Sequence, residues 1–183
     1  WARIDALARY AGLETRQREK TFAAFTSTAW NRAALKAASS WAVKPEGWLA
    51  IHGINGAGKT HLQLAIANAL LAREERFQWW YTPDLVAELR TMDIPAQHQA
   101  ISKLREEAVL LLDDLGAVKH TEADWGIREL LEPLMDYRYR SVKATCITSI
   151  GSPSNLFLEL SESIARRMQD ESVCTTINLG TKR

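Results

Sequence analysis

The sequence predicts an α/β fold of three layers, a central parallel sheet flanked by helices. Three observations carry that expectation. Short aliphatic runs such as Val109 to Leu112 have the composition of strands buried on both faces. Longer segments with helical apolar spacing separate those runs, so strands and helices alternate along the chain. A glycine-rich turn from Gly53 to Thr60 joins one such strand directly to one such helix.

The elements follow in order. Residues 2–20 alternate in charge with scattered apolar positions (Ile4, Leu7, Tyr10, Leu13), which reads as an exposed helix or arm and leaves residues 21–183 as the main domain. Thr15 to Lys20 is polar and mostly basic, the pattern of a solvated face. Residues 29–42 are rich in alanine and read as a helix that ends before Pro45 and Gly47. Trp48 to His52 is a short apolar strand. A helix is expected from about Lys59 to Glu74, where Leu62, Leu64, Ile66 and Leu70 suit packing on a sheet. Phe77 to Thr82 reads as a second strand, and Pro83-Asp84 opens another helix. Thr91 to Gln99 contains Pro95 and reads as a loop. The Val109 strand ends in two aspartates, and a helix follows from about Glu122, with Pro133 expected to bend or break it. Ala144 to Ile150 and Val173 to Leu179 read as the last two strands.

Composition bounds the function. At 183 residues the chain suits one domain with a real core, and 46% hydrophobic with 25% charged residues excludes a disordered chain. Lys and Arg total 23 against 22 acidic residues, so bulk charge calls for no nucleic-acid partner, and DNA binding would need a local patch. Cys146 and Cys174 share no metal-ligand spacing and read as reduced core thiols. Free thiols and the lack of a signal-like segment point to the cytoplasm. No apolar run approaches the ~20 residues needed to span a bilayer, so no membrane role is expected. The chain begins at Trp1, as a fragment or a processed form would.

The glycine turn carries the chemistry. Gly53-Ile54-Asn55-Gly56-Ala57-Gly58-Lys59-Thr60 matches G-x-x-x-x-G-K-[ST] between a strand and a helix, the context that such a phosphate-binding loop requires. Its glycines let backbone N–H groups converge on phosphate oxygens, and the helix N-terminus adds its dipole. Lys59 would reach the outer phosphates of ATP, and the Thr60 hydroxyl would ligate Mg2+. A second acidic element is expected on a neighbouring strand, and Leu112-Asp113-Asp114 supplies it. Asp113 is placed to hold the magnesium, and Asp114 to polarise an attacking water as general base.

At this point the residues resemble a family. Thr21-Phe22 with Phe25, Gly56-Ala57-Gly58-Lys59-Thr60-His61-Leu62 and Leu112-Asp113-Asp114-Leu115-Gly116 are similar to AAA+ ATPases of the DnaC/DnaI helicase-loader and IstB transposition-helper group. Ile147-Thr148-Ser149, Ile164-Ala165-Arg166-Arg167-Met168 and the closing Gly180-Thr181-Lys182-Arg183 fit the same group, so the likeness runs from about residue 21 to the end. The resemblance implies an AAA+ core of the P-loop NTPase type with ATP and Mg2+ as cofactors. It places Phe22, ahead of Phe25, against the adenine, with Gly53, Asn55, Ala57 and His61 around the nucleotide. It implies that Arg167, with Arg166 beside it, serves ATP on the next subunit, and that Arg183 reaches the phosphates of its own subunit. It also implies self-association on single-stranded DNA and a replicative helicase or a transposase as partner. Arg128, Arg138, Arg140 and Lys143, around Tyr137 and Tyr139, are the DNA-contact candidates.

One position departs from the pattern. Where the family places an asparagine after Thr148-Ser149, this chain has Ile150. Either Thr148 or Ser149 takes over positioning of the hydrolytic water, or ATP acts mainly as an assembly switch. The leading expectation is therefore an ATPase that assembles on DNA and loads a helicase. A transposase helper, an ATP-gated adaptor with little turnover and a small-molecule kinase stand as alternatives.

Overall fold

The computed structural model describes residues 2–117, 125–152 and 162–180. Helix α1 (Ala2–Tyr10) and a 3-10 turn (Thr15–Glu19) precede α2 (Arg32–Val43), β1 (Trp48–His52) and α3 (Lys59–Ala72). There follow β2 (Gln78–Tyr81), α4 (Thr82–Thr91), α5 (Ile94–Glu106), β3 (Val109–Asp113) and a second 3-10 turn (Leu115–Ala117). Helix α6 (Trp125–Arg140), β4 (Ala144–Ser149), α7 (Glu162–Met168) and β5 (Cys174–Asn178) complete the order.

The five strands form one sheet in the order β2-β3-β4-β1-β5, and every pairing is parallel. Every residue of β1, β3 and β4 is buried, as the aliphatic runs predict for strands covered on both faces. The alternation of side chains then splits the core in two. Leu49, Ile51, Leu111 and Cys146 join one cluster with α1, α2 and α3. Trp48, Ala50, Leu110, Leu112 and Ile147 join the other with α4, α5, α6 and α7. The strand order differs from the sequence expectation in one respect. The acidic strand β3 does not neighbour β1, because β4 lies between them.

One local reading is corrected and two are narrowed. The Thr91–Gln99 segment is not all loop: α5 starts at Ile94, with the Asp93 side chain accepting from the Ala96 N–H at 2.9 Å and Pro95 in the first turn. That is where proline is tolerated, since the N–H it lacks has no partner within the helix. Pro133 does not break α6, which runs to Arg140. Burial of Leu131, Leu134 and Met135 outweighs the local penalty. The N-terminal helix does not stand off as an arm, because Ala8, Ala11 and Leu13 are buried in the α1–α3 cluster. Both cysteines are buried free thiols.

Arg138 is the largest departure from expectation. A DNA contact in the sequence reading, it is 0% exposed. Its guanidinium donates to the carbonyls of Leu104, Arg105, Glu107 and Ala144 and to the Thr145 hydroxyl, tying α6 to the end of α5 and the start of β4. Burial pulls its pKa down to about 10, with Glu107 and Glu106 opposing, so it stays charged at neutral pH. The other candidates are tied differently: Lys143 pairs with Glu106 and Arg140 with Asp136. The side chain of Arg128 lies outside the described residues.

Arg138→Met should therefore lower unfolding free energy by about 3 kcal/mol, because several buried acceptors lose their donor at once. Arg138→Lys should rescue little, since one ammonium cannot span the fork's partners. Urea denaturation reads both, and a midpoint unchanged from wild type would contradict this structural role.

Candidate functional site

The site lies at the C-terminal ends of the strands, where β1 runs through the glycine loop into α3. Gly58 sits at φ 99° as the N-cap of α3, and a Cβ there would stand 2.8 Å from Phe25 Cε2. The loop and the Phe25 ring thus pack so closely that only glycine fits. Lys59 is almost wholly buried and donates to the carbonyls of Gly53 at 2.8 Å and Ile54 at 3.0 Å. Its pKa is lowered by burial, while Asp114 and Asp113 pull the other way.

The acidic pair faces the loop across β4. The Thr60 hydroxyl donates to the Asp113 carboxylate, at 3.0 and 3.1 Å from its two oxygens. The Thr148 hydroxyl donates to Asp113 Oδ1 at 2.5 Å and accepts from the Asp114 N–H at 2.8 Å. One hydroxyl at the end of β4 therefore fixes both aspartates. Asp114 takes the left-handed conformation, φ 54°, which aspartate tolerates better than most residues. One of its carboxylate oxygens is buried with no hydrogen-bond partner. Burial raises the pKa of Asp113 despite the Thr148 and Thr60 donors that favour its charged form. Burial likewise raises that of Asp114, with Lys59 opposing.

Two cavities meet at the loop. One, about 270 Å³, is lined by Asn55, Lys59, Thr60, Asp114, Thr148 and Ile150 among others, and suits the phosphates. The other, about 550 Å³, lies between Gly56-Ala57-Gly58 and the segment before α2, lined by Phe25, Thr28, Trp30 and Asn31. His61 borders both. Its Nε2 lies 2.9 Å from the Thr21 carbonyl, which can only accept, and its ring stands edge-on to Phe25 at 5.2 Å. A third cavity, about 740 Å³, opens beside the starts of β2 and β3 against α4 and α5; it is mostly apolar and holds none of the loop or aspartate residues.

The sequence-expected residues are partly gathered here. Gly53, Asn55, Gly56, Ala57, Gly58, Lys59, Thr60, His61, Asp113, Asp114 and Thr148 converge on the loop and its cavities. Phe25, not Phe22, lines the base-side cavity, and Phe22 packs against the core. Ser149 turns away and donates to the Gly151 carbonyl. Ile150, 43% exposed, stands in the asparagine position on the phosphate-side wall. Arg167 is not at the loop: its guanidinium is bound by Asp136 and Ser163. Arg183 lies outside the described residues.

Sequence reasoning missed two residues. Trp30, expected on a helical face, precedes α2 and walls the base-side cavity; nothing in its spacing signals that. Gln63 is fully buried on α3, donates to the carbonyls of Leu112 and Cys146 at 3.1 Å each, and accepts from the Trp79 indole. A lone glutamine in an otherwise apolar helix face was the available sign.

The comparisons agree with this geometry. Residues 16–174 match the model of the bacterial DnaA ATPase domain. The replicative helicase loader DnaI of Bacillus subtilis is 30% identical over 109 residues, 59% of this chain and 34% of that protein. A putative insertion sequence ATP-binding protein of Sinorhizobium fredii is 33% identical over 135 residues, 72% of this chain and 44% of that protein. The chain thus corresponds to less than half the length of either relative. A crystal structure of the DnaC helicase loader superposes with TM-score 0.77 at 24% identity, covering 91% of this chain and all of that one. No helix among the described residues is long and apolar enough to cross a membrane.

The raised pKa of Asp113 has a sign that can be checked. A carboxyl whose folded pKa exceeds its unfolded value costs stability above the folded pKa, and the cost disappears as pH falls below the unfolded value of about 3.9. Asp113→Asn keeps an acceptor for Thr148 and removes the charge. It should therefore raise the thermal midpoint of the nucleotide-free chain by a few degrees at pH 7. The gain over wild type should shrink as pH drops through the acid range, and a loss of stability at pH 7 would refute the assignment.

Proposed function

The chain belongs to the AAA+ family of the bacterial DnaA ATPase domain, and from that premise we propose that it binds Mg-ATP at the glycine loop and hydrolyses it within an assembly on single-stranded DNA. The observation that carries the reading is the direct hydrogen bonding of the Thr60 hydroxyl to the Asp113 carboxylate. Two hard oxygen donors from opposite halves of the motif converge, and together they would hold a small divalent cation. The residues fit the nucleotide as well. The glycine cradle leaves no Cβ in the way, and the base-side cavity offers the Phe25 and Trp30 rings for a planar base.

Each group then has a defined task. Backbone N–H groups of Asn55 to Thr60 and the α3 N-terminus hold phosphate oxygens. Lys59 exchanges the carbonyls of Gly53 and Ile54 for those oxygens. Asp114, which lines the phosphate-side cavity, accepts the proton of the attacking water. A bound Mg2+ would neutralise charge on the phosphates. Thr148 supports this arrangement by orienting both aspartates, and Ser149 stays with the backbone of Gly151. Arg167 completes the site from a neighbouring subunit, where its guanidinium meets charge developing on the outermost phosphate.

The partner follows the relatives. Likeness to a helicase loader and to an insertion sequence ATP-binding protein supports a DNA-bound assembly that delivers a second machine. We favour a replicative helicase as that partner and keep a transposase as the second reading, because the insertion sequence relative matches more of this chain.

Phosphate release should rise with single-stranded DNA, and Lys59→Ala should weaken ATP binding at least a hundredfold by titration calorimetry. Tight binding retained by Lys59→Ala would sink the loop assignment. Arg167→Ala should leave binding by the single chain near wild type and abolish turnover. Mixing it with Lys59→Ala chains, which carry an intact Arg167, should restore turnover if the arginine acts across subunits.

A further inference from the structure

In the single chain Arg167 is not free to serve a neighbour. Its Nη1 donates to the Ser163 hydroxyl, its Nη2 to Asp136 Oδ1, and its guanidinium carbon lies over the Tyr139 ring, 5.5 Å from the centroid. Only 17% of the side chain is exposed, against 74% for Arg166 beside it, which pairs with Glu162 one turn away. The Tyr139 ring is itself held, by a hydrogen bond from its hydroxyl to Asp170. A guanidinium that grips a phosphate uses the same terminal nitrogens as a fork. Both are already taken.

The residue that takes them is doubly paired. Asp136 Oδ1 meets Arg167, while Oδ2 meets Arg140 at 2.5 Å, an i,i+4 pair on α6. The Arg140 side chain is 70% exposed. When Arg167 leaves, Asp136 therefore keeps a cation and is not stranded as an unpaired charge, which would be the costly outcome.

We infer that Asp136 is a positioning residue that holds Arg167 in reserve in the single chain and yields it on assembly, with Arg140 remaining as the counter-ion. The inference rests on Arg167 acting across subunits. The latch sets how readily the assembly becomes active: a stronger hold on Arg167 raises the chain concentration needed for turnover, and a weaker hold lowers it. Arg140 competes for Asp136 and so loosens the latch.

The test measures phosphate release against protein concentration at saturating Mg-ATP with an oligothymidine strand. A partly exposed pair of this kind is worth up to about fivefold in an equilibrium. Asp136→Asn should move the half-maximal concentration down about three- to fivefold. Arg140→Gln should move it up about two- to threefold. Binding of a fluorescent ATP analogue to the single chain should be unchanged in both. A merely structural role for Asp136 predicts the reverse for Asp136→Asn, a higher midpoint together with a lower melting temperature. An Asp136→Asn curve that matches wild type or shifts up, while Arg167→Ala is inactive, overturns the latch and leaves the trans role standing. Full turnover by Arg167→Ala overturns both. Should Asp136→Asn fail to fold, Ser163→Ala, which removes the other partner of the Arg167 guanidinium, carries the test, and an unchanged or higher midpoint overturns the inference.

Discussion

A carboxylate buried at the end of a parallel strand needs donors, and the layout of the site follows from how Asp113 obtains them. Neither adjacent residue of β3 can supply a hydroxyl, so the donors come from elsewhere in the sheet: Thr60 at the start of α3 and Thr148 at the end of β4. That is possible because β4 lies between β1 and β3 and delivers Thr148 into the gap between the glycine loop and the aspartates. The same hydroxyl receives the Asp114 N–H, which steadies a backbone in the left-handed region. Gln63 repeats the device one layer deeper, linking α3 to the carbonyls of β3 and β4. The site is held by side chains that cross between elements over the last rungs of the strand ladder.

The base-side wall is organised by a different set of bonds. Asn31 is buried and closes the turn before α2, accepting from the Thr28 N–H at 2.7 Å and donating to the Thr26 carbonyl at 3.0 Å. His61 anchors the start of this segment at Thr21, and Asn68 on α3 donates to the carbonyls of Gln17 and Lys20. Helix α3 therefore carries the phosphate loop at its N-terminus and fixes the segment that walls the base cavity along its side.

How much of this was legible in sequence depends on distance along the chain. The glycine loop was legible because its chemistry lies within eight consecutive residues, and the strands because burial on both faces forces continuous aliphatic runs. The aspartate pair was legible by type. Its separation from β1 by β4 was not, because strand order is set by crossovers that leave no local pattern. Arg138 and Arg140 look alike in sequence, two residues apart on one helix, yet one is buried among carbonyls and the other reaches solvent. A two-residue step turns a helix by about 200°, so that difference is a matter of face, and the tyrosines on either side obscure which face is apolar. Pro95 was misread because the same residue breaks a helix interior and suits a first turn, and the Asp93 cap decides between them.

A common feature links the polar side chains expected to act on the nucleotide. Lys59 rests on the carbonyls of its own loop, Thr60 on Asp113, and Arg167 on Asp136 and Ser163. None is left bare in the single chain, which is the expected condition for buried polar groups. A ligand or a neighbouring chain would therefore gain by exchanging contacts already made, and the net free energy of each exchange would be far smaller than the contact it forms. Small nets make the site easy to bias. Asp114 is the exception, with a buried carboxylate oxygen that has no hydrogen-bond partner to give up. With Ile150 offering no hydrogen bond in the asparagine position of the phosphate-side wall, Asp114 and Thr148 carry the polar side of that position between them.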